Sequence, residues 1–164
     1  MELLEILQTL NACHGPAGDE RGVAEAIRRL AQPCVDSCAT DAMGSLICHK
    51  KGSGAKILFA AHMDTVGLVV THIDEKGFLR FGKLGGVRPH SLLHTPVRFA
   101  NGVRGLVALD GGAREKELTL DDLYLDIGAS DEKQAGELVQ VGDTAVFDAP
   151  VTARGDRIIS PFLH

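Results

Sequence analysis

The sequence predicts an α/β domain into which a small β-barrel or sandwich is inserted. Leucines at positions 3, 4, 7 and 10 recur at helical spacing, and Ile57–Ala60 is a continuous apolar run. Such a run suits a strand buried on both faces, as in a parallel sheet covered by helices. From about residue 67 to residue 152, short β-branched segments alternate with polar turns, which is typical of a separate all-β domain.

The chain before this apolar run is predicted to hold two amphipathic helices. The first ends before the breaker pair Gly15-Pro16. The second begins after Asp19 and Glu20, whose charges are favourable at a helix N-terminus, and ends before Pro33. Helices of this kind provide the layer that covers a sheet in an α/β domain.

A hairpin is predicted next, with strands at residues 35–40 and 45–49. The segment Asp41–Gly44 joins them, and Gly44 supplies the positive φ that such turns need. Asp41 has two interpretations, as an acid of a functional site or as a turn-forming residue whose side chain bonds the local backbone.

Six strands and one short helix are predicted within the insert. Asn101-Gly102 is a strong hairpin signal, and Ser130 is predicted to cap a helix whose first turn holds Asp131 and Glu132. The strands are residues 68–73, 78–81, 96–100, 103–109, 123–127 and 144–147. Many short strands with turns between them predict a small barrel or sandwich.

Composition and charge argue against nucleic-acid and membrane functions. The 164 residues are 45% hydrophobic and 24% charged, as in ordinary globular proteins, and the net charge of -5 comes with scattered Lys and Arg. Neither a basic stripe nor a set of stacking aromatics is present, since the chain has no Trp and one Tyr. No apolar run has the length of a membrane span, and the first residues follow a helix pattern, not a signal peptide, so we expect a cytoplasmic location.

Four cysteines, at positions 13, 34, 38 and 48, lie in the first third of the chain. The spacing Cys34-x-x-x-Cys38 matches neither a redox CxxC motif nor a zinc-site pair. We expect free thiols in a reducing compartment, with a disulfide as the less favoured alternative.

His62 and Asp64 follow the apolar run directly. Alternate residues of an extended segment point the same way, and ligands bind at the carboxyl ends of strands in open α/β sheets. Asp64 can therefore orient an imidazole that binds a metal. The spacing alone favours the other interpretation, a His and an Asp that simply cap a strand at the surface, because His-x-Asp by itself is a weak motif.

A family resemblance adds to this interpretation. The segment Ala60–Asp64, followed by Val66-Gly67, resembles the signature of metallopeptidase family forty-two, the glutamyl and tetrahedral aminopeptidases, some of which carry endoglucanase labels. Further segments occur in the family's order: Gly15–Glu20, Thr40–Gly44, Ile73–Phe78, Gly85-Gly86, Asp122–Ala129 and Val141–Asp143. Thr65 departs from the pattern, which usually has Glu there.

The resemblance implies a zinc-peptidase α/β/α domain, of which residues 1–66 and 153–164 are a part. Residues 67–152 would be the inserted β-barrel, which in the family mediates dimer contacts and supports larger, often dodecameric, assemblies. Family members remove amino-terminal residues from peptides with two divalent metals, here zinc or cobalt. His62 matches a ligand of one metal, and Asp64 matches the carboxylate that orients this ligand.

The resemblance also implies that this chain is incomplete. His164 occupies the place where the family has a bridging Asp, and one imidazole nitrogen cannot bridge two metals. We expect His164 to be the start of a tag or the place where the chain was cut, and not a substitute for that Asp. We expect an aminopeptidase portion that is inactive alone, with an empty or loosely filled metal site. The alternative is a non-catalytic assembly module derived from such a peptidase.

Overall fold

The computed structural model of the chain describes residues 2–111 and 118–161. The chain divides into two compact units, between Asp64 and Thr65 and between Ala149 and Pro150. We call the unit built from the two end segments the terminal unit, and residues 65–149 the central unit. The sequence analysis places the corresponding divisions after residues 66 and 152.

The described residues form three α-helices, two short 3-10 helices and ten strands. The helices are α1 (Leu3–Asn11), α2 (Arg21–Ala31) and α3 (Glu132–Leu138), with 3-10 turns at Gln32–Cys34 and Pro89–Ser91. The strands are β1 (Ser37–Thr40), β2 (Leu46–His49), β3 (Gly67–Ile73), β4 (Leu79–Leu84), β5 (Pro96–Phe99), β6 (Arg104–Leu109), β7 (Leu123–Asp126), β8 (Thr144–Phe147), β9 (Thr152–Arg154) and β10 (Arg157–Ile159).

Both helices predicted for the terminal unit are confirmed. Glu2 and Glu5 form a reciprocal capping box at the start of α1, in which the Glu2 N–H donates to the Glu5 carboxylate at 3.1 Å. Helix α2 buries the face that carries Val23, Ala24 and Ala26. The longest helix in the described ranges, α2, has 11 residues, and no helix there is long and apolar enough to cross a membrane.

The predicted hairpin at residues 35–49 is also confirmed, as β1 paired with β2. The Asp41 N–H donates to the Ser45 carbonyl at 3.1 Å, and the Gly44 N–H donates to the Asp41 carbonyl at 3.2 Å. Gly44 has a φ of 90°, as the turn prediction requires. The strands β9 and β10 form a second, separate hairpin in the terminal unit.

The predicted buried strand at Ile57–Ala60 is wrong. This segment belongs to no strand, and the side chains of Ile57, Leu58 and Phe59 are 76%, 89% and 91% exposed. A strand needs a neighbouring strand to accept and donate its backbone hydrogen bonds. In the described part of the terminal unit, the sheets consist of β1 with β2 and β9 with β10, and neither pairs with this segment. An apolar run favours burial, but burial also requires other residues that pack against it.

The central unit is a closed, six-stranded antiparallel barrel with the strand order β3-β4-β7-β6-β5-β8. Strand β8 pairs with both β3 and β5, which closes the sheet. The inserted barrel expected from the sequence is therefore present. Closure removes the exposed strand edges that would otherwise pair with other chains.

The barrel core follows the two-residue period of its strands. Alternate residues point to opposite faces of a strand, so one set fills the interior. The buried members of this set are Leu68 and Val70, Leu79 and Phe81, Val97 and Phe99, Val107, Leu123 and Leu125, and Ala145. Within β3, β4, β5 and β7 these positions lie two residues apart, which is the pattern that makes the segments recognisable in the sequence.

The helix α3 begins one residue later than predicted. Asp131, not Ser130, is its N-cap, and the Asp131 carboxylate accepts the Gln134 N–H at 2.8 Å. Ser130 lies just outside the helix, where its N–H and its hydroxyl both contact the Gln134 side-chain oxygen at 2.7 Å. Serine and aspartate are both favourable N-cap residues. Here the Asp131 carboxylate is the group that accepts the hydrogen bond from the Gln134 N–H, which has no partner within the helix.

Two barrel hairpins turn in the same way as the hairpin at Asp41–Ser45. In the β3–β4 turn, the Asp74 N–H donates to the Phe78 carbonyl and the Gly77 N–H to the Asp74 carbonyl, both at 2.9 Å. The β5–β6 turn repeats this pattern at Gly102, whose φ is 89°. Its partner Asn101 does not have a positive φ, so the predicted hairpin is present but is not a two-residue turn of the type that needs two such residues.

The surroundings of Gly77 and Gly102 differ although their backbones are alike. A Cβ on Gly77 would lie 2.9 Å from the Asp131 carbonyl oxygen and 3.0 Å from the Ala129 carbonyl oxygen, whereas a Cβ on Gly102 would meet nothing within 4 Å. The β3–β4 turn is thus packed against the segment that precedes α3, and the β5–β6 turn has open space around it.

Replacing Gly77 with Ala should therefore destabilise the barrel more than replacing Gly102 with Ala. Each substitution places a side chain at positive φ, which costs about 1–2 kcal/mol, and only the new Cβ at 77 meets backbone oxygens. The measurement is urea unfolding followed by the fluorescence of Tyr124, which lies in β7 and is the single tyrosine of a chain without Trp. Equal losses of unfolding free energy would contradict the packing role of Gly77.

Candidate metal site at His62 and Asp64

His62 and Asp64 lie at the end of the first segment of the terminal unit and contact each other directly. The His62 Nδ1 atom is 3.0 Å from the Asp64 carbonyl oxygen and 3.2 Å from the Asp64 Oδ1 atom. A carbonyl and an ionised carboxylate only accept hydrogen bonds, so Nδ1 must be the donor. In the neutral ring the lone pair then lies on Nε2, which is the arrangement of a metal-binding histidine oriented by a carboxylate.

Both partners of this contact lie within three residues of the chain. His62 and Asp64 are two residues apart in a segment that forms neither helix nor strand, so the chain can fold the Asp64 carboxylate and carbonyl toward the same ring nitrogen. Both side chains remain open to solvent, His62 at 63% and Asp64 at 42% exposure. More than half of the His62 side chain is therefore accessible to solvent.

A cleft of about 590 Å³ in the terminal unit contains both residues. Its lining also includes Glu20, Cys48 and Phe59. The Glu20 carboxylate accepts the Gly18 N–H at 2.7 Å, which shapes the loop before α2. The cleft therefore combines one oriented imidazole with acidic, sulfur-containing and apolar groups.

The described residues fit one ligand of a metal but not a complete site. Among residues 2–111 and 118–161, no group of three or more His, Cys, Asp and Glu side chains could hold a metal ion. Catalytic zinc sites use three protein ligands and a water. His62, with Asp64 behind it, could supply one of these three. His164 lies outside the described residues.

Asp41 has the structural role that its turn position predicts. Its Oδ1 atom accepts the Ser45 N–H at 2.8 Å and the Met43 N–H at 2.9 Å. These bonds favour the charged carboxylate, and the pKa of Asp41 is lowered, chiefly by the Ser45 N–H. Asp41 therefore acts as the side chain that organises the β1–β2 turn.

Three further histidines lie on the central unit. His72 is an exposed residue of β3, His90 lies in the 3-10 turn Pro89–Ser91, and His94 has a φ of 60°. In the described ranges none of them belongs to a three-residue group that could bind a metal.

The sequence analysis missed one close pair of reactive side chains. All four cysteines are free thiols, as predicted, but the Cys38 and Cys48 sulfur atoms lie 3.0 Å apart. The signal was available in the hairpin prediction, because counting outward from the turn residues Asp41 and Ser45 brings Cys38 opposite Cys48. We considered the spacing along the chain and not the register across the hairpin.

Comparison with known proteins identifies relatives along most of the chain. The family model of the M42 glutamyl aminopeptidases matches residues 44–163. The lysyl aminopeptidase of Pyrococcus furiosus is 31% identical over 175 residues, which cover 97% of this chain and 50% of that protein. The chain spans about half the length of the curated relatives it matches.

Solved structures of aminopeptidases share the fold. A TET aminopeptidase from a marine sediment archaeon of the Thaumarchaeota matches with a TM-score of 0.84 at 33% identity, covering 93% of this chain and 46% of that one. The TET1 peptidase of Pyrococcus horikoshii, which can assemble into a tetrahedron or a large octahedral shell, matches with a TM-score of 0.79 at 33% identity, covering 92% and 48%. These matches confirm the predicted combination of a partial peptidase domain with an inserted barrel.

The hydrogen bonds from His62 to Asp64 predict which nitrogen of the neutral His62 ring carries the proton. Neutral His62 should carry its proton on Nδ1, and Asp64→Ala should shift it toward the Nε2–H form because one of the two acceptors is lost. The ¹⁵N and ¹³C chemical shifts of the imidazole report the tautomer, and His72 in the central unit serves as the internal control. An unchanged tautomer in Asp64→Ala would show that the carboxylate does not orient the ring.

Proposed function

Because the chain belongs to the M42 glutamyl aminopeptidase family, we propose that it is the first part of a metal-dependent aminopeptidase that removes amino-terminal residues from peptides. The observation that carries the proposal is the contact between His62 Nδ1 and the two Asp64 oxygens. It leaves the His62 ring arranged as a metal ligand of the kind that the family resemblance implies.

The complete site would hold two divalent metal ions, zinc or cobalt, which lower the pKa of a bound water and polarise the peptide carbonyl. His62 would supply one ligand through Nε2. Asp64 would act as a positioning residue, since its carboxylate holds Nδ1 and thereby sets the direction in which Nε2 points. The remaining ligands and the general base would come from the part of the relatives' length that this chain does not span.

The exposed apolar segment supports an incomplete peptidase domain. Ile57, Leu58 and Phe59 expose most of their surface, and burying side chains of this kind contributes about 1.5–3 kcal/mol each. We propose that in the complete domain these side chains are covered by the part of the relatives' length that this chain does not span.

The decisive experiment joins this chain to the missing half. Residues 2–161 replace the matching half of the Pyrococcus furiosus lysyl aminopeptidase, and hydrolysis of aminoacyl anilides is measured with added zinc or cobalt. We expect activity in the chimera and none in the unfused chain. The metal ligands and the general base act together, so a chain that has only some of them should not hydrolyse the substrate. We also expect Asp64→Asn to weaken metal binding roughly 10–100-fold.

Two variants separate the proposed site from general effects on folding. His62→Ala should abolish activity of the chimera, and His72→Ala, an exposed histidine of the central unit, should leave it unchanged. A folded chimera that retains activity without His62 would contradict the ligand role. Metal-dependent hydrolysis by the unfused chain, abolished by His62→Ala, would contradict the proposal that this portion is inactive alone.

A second candidate function is a non-catalytic assembly module. The closed barrel is complete within the central unit, whereas the described residues supply one candidate metal ligand. The Pyrococcus horikoshii relative assembles into large shells, and we propose that residues 67–152 mediate self-association here as well. A reducing, cytoplasmic location is in keeping with the four free cysteines.

Sedimentation of the pure chain tests this association. We expect one defined oligomer at micromolar concentration, formed through the barrel. The exposed Leu58 and Phe59 side chains could instead cause non-specific clustering, so the same measurement is made on Leu58→Ser/Phe59→Ser. A defined species that persists in this variant supports the barrel as the interface. A monomer, or polydisperse material that disappears in the variant, would contradict it.

A further inference from the structure

Cys38 and Cys48 form a pair of thiols that the hairpin fold brings together. They are directly opposite each other on β1 and β2, and their sulfur atoms are 3.0 Å apart. The two residues are neighbours only because the Asp41–Ser45 turn sets this register. The sulfur contact is therefore a consequence of the fold of the terminal unit.

The backbone geometry at this pair suits a disulfide. The hydrogen bond from the Asp41 N–H to the Ser45 carbonyl marks a hydrogen-bonded position. Such positions alternate along an antiparallel pair, so Cys38 and Cys48, three residues away, occupy a non-hydrogen-bonded position. Opposite Cα atoms are about 4.5 Å apart there, which lies within the disulfide range of about 4.4–6.8 Å. Bond formation would need a sulfur approach of about 1 Å, to about 2.05 Å.

The two sulfur atoms are not equivalent. Cys48 is exposed and Cys38 is partly buried. The pKa of the Cys48 thiol is raised, chiefly by its hydrogen bond with Cys38. Either sulfur can donate the hydrogen that lies between them. The Arg28 guanidinium lies beside Cys38, with Nη1 at 3.5 Å from its carbonyl oxygen.

We propose that Cys38 and Cys48 are a redox-active dithiol that forms a reversible intramolecular disulfide with a peroxide as the oxidant. The thiolate of one cysteine of the pair attacks one oxygen of hydrogen peroxide, the O–O bond breaks, and that cysteine becomes a sulfenic acid as water leaves with the proton of the thiol. The sulfur of the other cysteine then attacks the sulfenic sulfur, the S–O bond breaks, and a second water leaves with the proton of that second thiol. Two thiols and one peroxide give one disulfide and two waters, and a dithiol reductant restores the pair by exchange.

The other two cysteines provide internal controls. The Cys13 residue follows α1, and its thiol contacts the Thr9 carbonyl at 3.3 Å. Cys34 is an exposed residue of the 3-10 turn after α2. Accessibility alone would favour reaction at Cys34. Proximity of two sulfurs favours the Cys38–Cys48 pair, so the site of oxidation distinguishes the two causes.

The pair also lies beside the candidate metal site. Cys48 lines the same cleft as His62 and Asp64, so a disulfide would form in the wall of that cleft. The thiol chemistry needs no peptidase activity, so it can be measured without a peptide substrate.

The reduced full chain is treated with dilute hydrogen peroxide, free thiols are alkylated, and intact mass and peptide maps are recorded. We expect a mass loss equal to two hydrogen atoms, a fall from four alkylated cysteines to two, and a linked peptide pair that contains Cys38 and Cys48. Dithiothreitol should restore four alkylation sites. Treatment in denaturing urea should remove the selectivity, since the hairpin holds the pair together.

Single variants test the pairing of the two sulfurs. In Cys48→Ser and in Cys38→Ser the sulfur that remains has lost its partner thiol, so a sulfenic acid formed there should persist and be captured by dimedone, and no linked peptide pair should appear. The variant Cys13→Ser/Cys34→Ser should form the disulfide at the same rate as the unaltered chain. Linkage through Cys34, sulfinic acids without linkage in the unaltered chain, or four alkylated cysteines after treatment would each overturn the proposal.

Discussion

Pairing of β3 with β8 is the interaction on which the central unit depends. Gly67 lies opposite Val146, and Val69 lies opposite Thr144, so the first and last strands of the barrel meet although more than seventy residues separate them. The contact extends past the strand ends, since the Val70 N–H donates to the Asp143 carbonyl at 2.9 Å. Without this pairing, β3 and β8 would each leave a row of backbone groups without partners.

The same pairing explains how the unit can be inserted into another domain. Because β3 and β8 are antiparallel neighbours, the start of β3 lies beside the end of β8. The chain therefore enters and leaves the central unit on adjacent strands, which is the arrangement that tolerates insertion of one domain into another. The terminal unit, built from both ends of the chain, follows from this topology.

Short turns determine where reactive groups meet in the terminal unit. The Asp41–Ser45 turn pairs β1 with β2 in one register, and a shift by one residue would separate Cys38 from Cys48 and move them to opposite faces. At His62 the constraint is even more local, because the ring and both of its acceptors lie within three residues. Neither arrangement requires a large packed core, which is why each can form in a unit whose apolar segment at Ile57–Phe59 is uncovered.

Much of the fold could be predicted from local patterns in the sequence. The helix periods, the alternation in the barrel strands, and the glycines at Gly44, Gly77 and Gly102 depend on neighbours a few residues away. The hydrogen bonds and dihedral angles of these elements depend on residues only a few positions apart, so the local sequence is enough to predict them. His62 and Asp64 form only a weak motif by themselves, and the family resemblance is what marks them as a candidate site.

The features that the sequence could not determine all depend on distant partners. Ile57–Ala60 has the composition of a buried strand, yet strand formation depends on a neighbouring strand and on a surface that covers it. The closure of the barrel requires β3 to pair with β8. The 3.0 Å contact between the Cys38 and Cys48 sulfur atoms requires the register of the whole β1–β2 hairpin. Sequence alone determined which segments favour helix, strand or turn, and tertiary structure decided which of them acquired partners, because hydrogen bonds between strands join residues that are far apart in the chain.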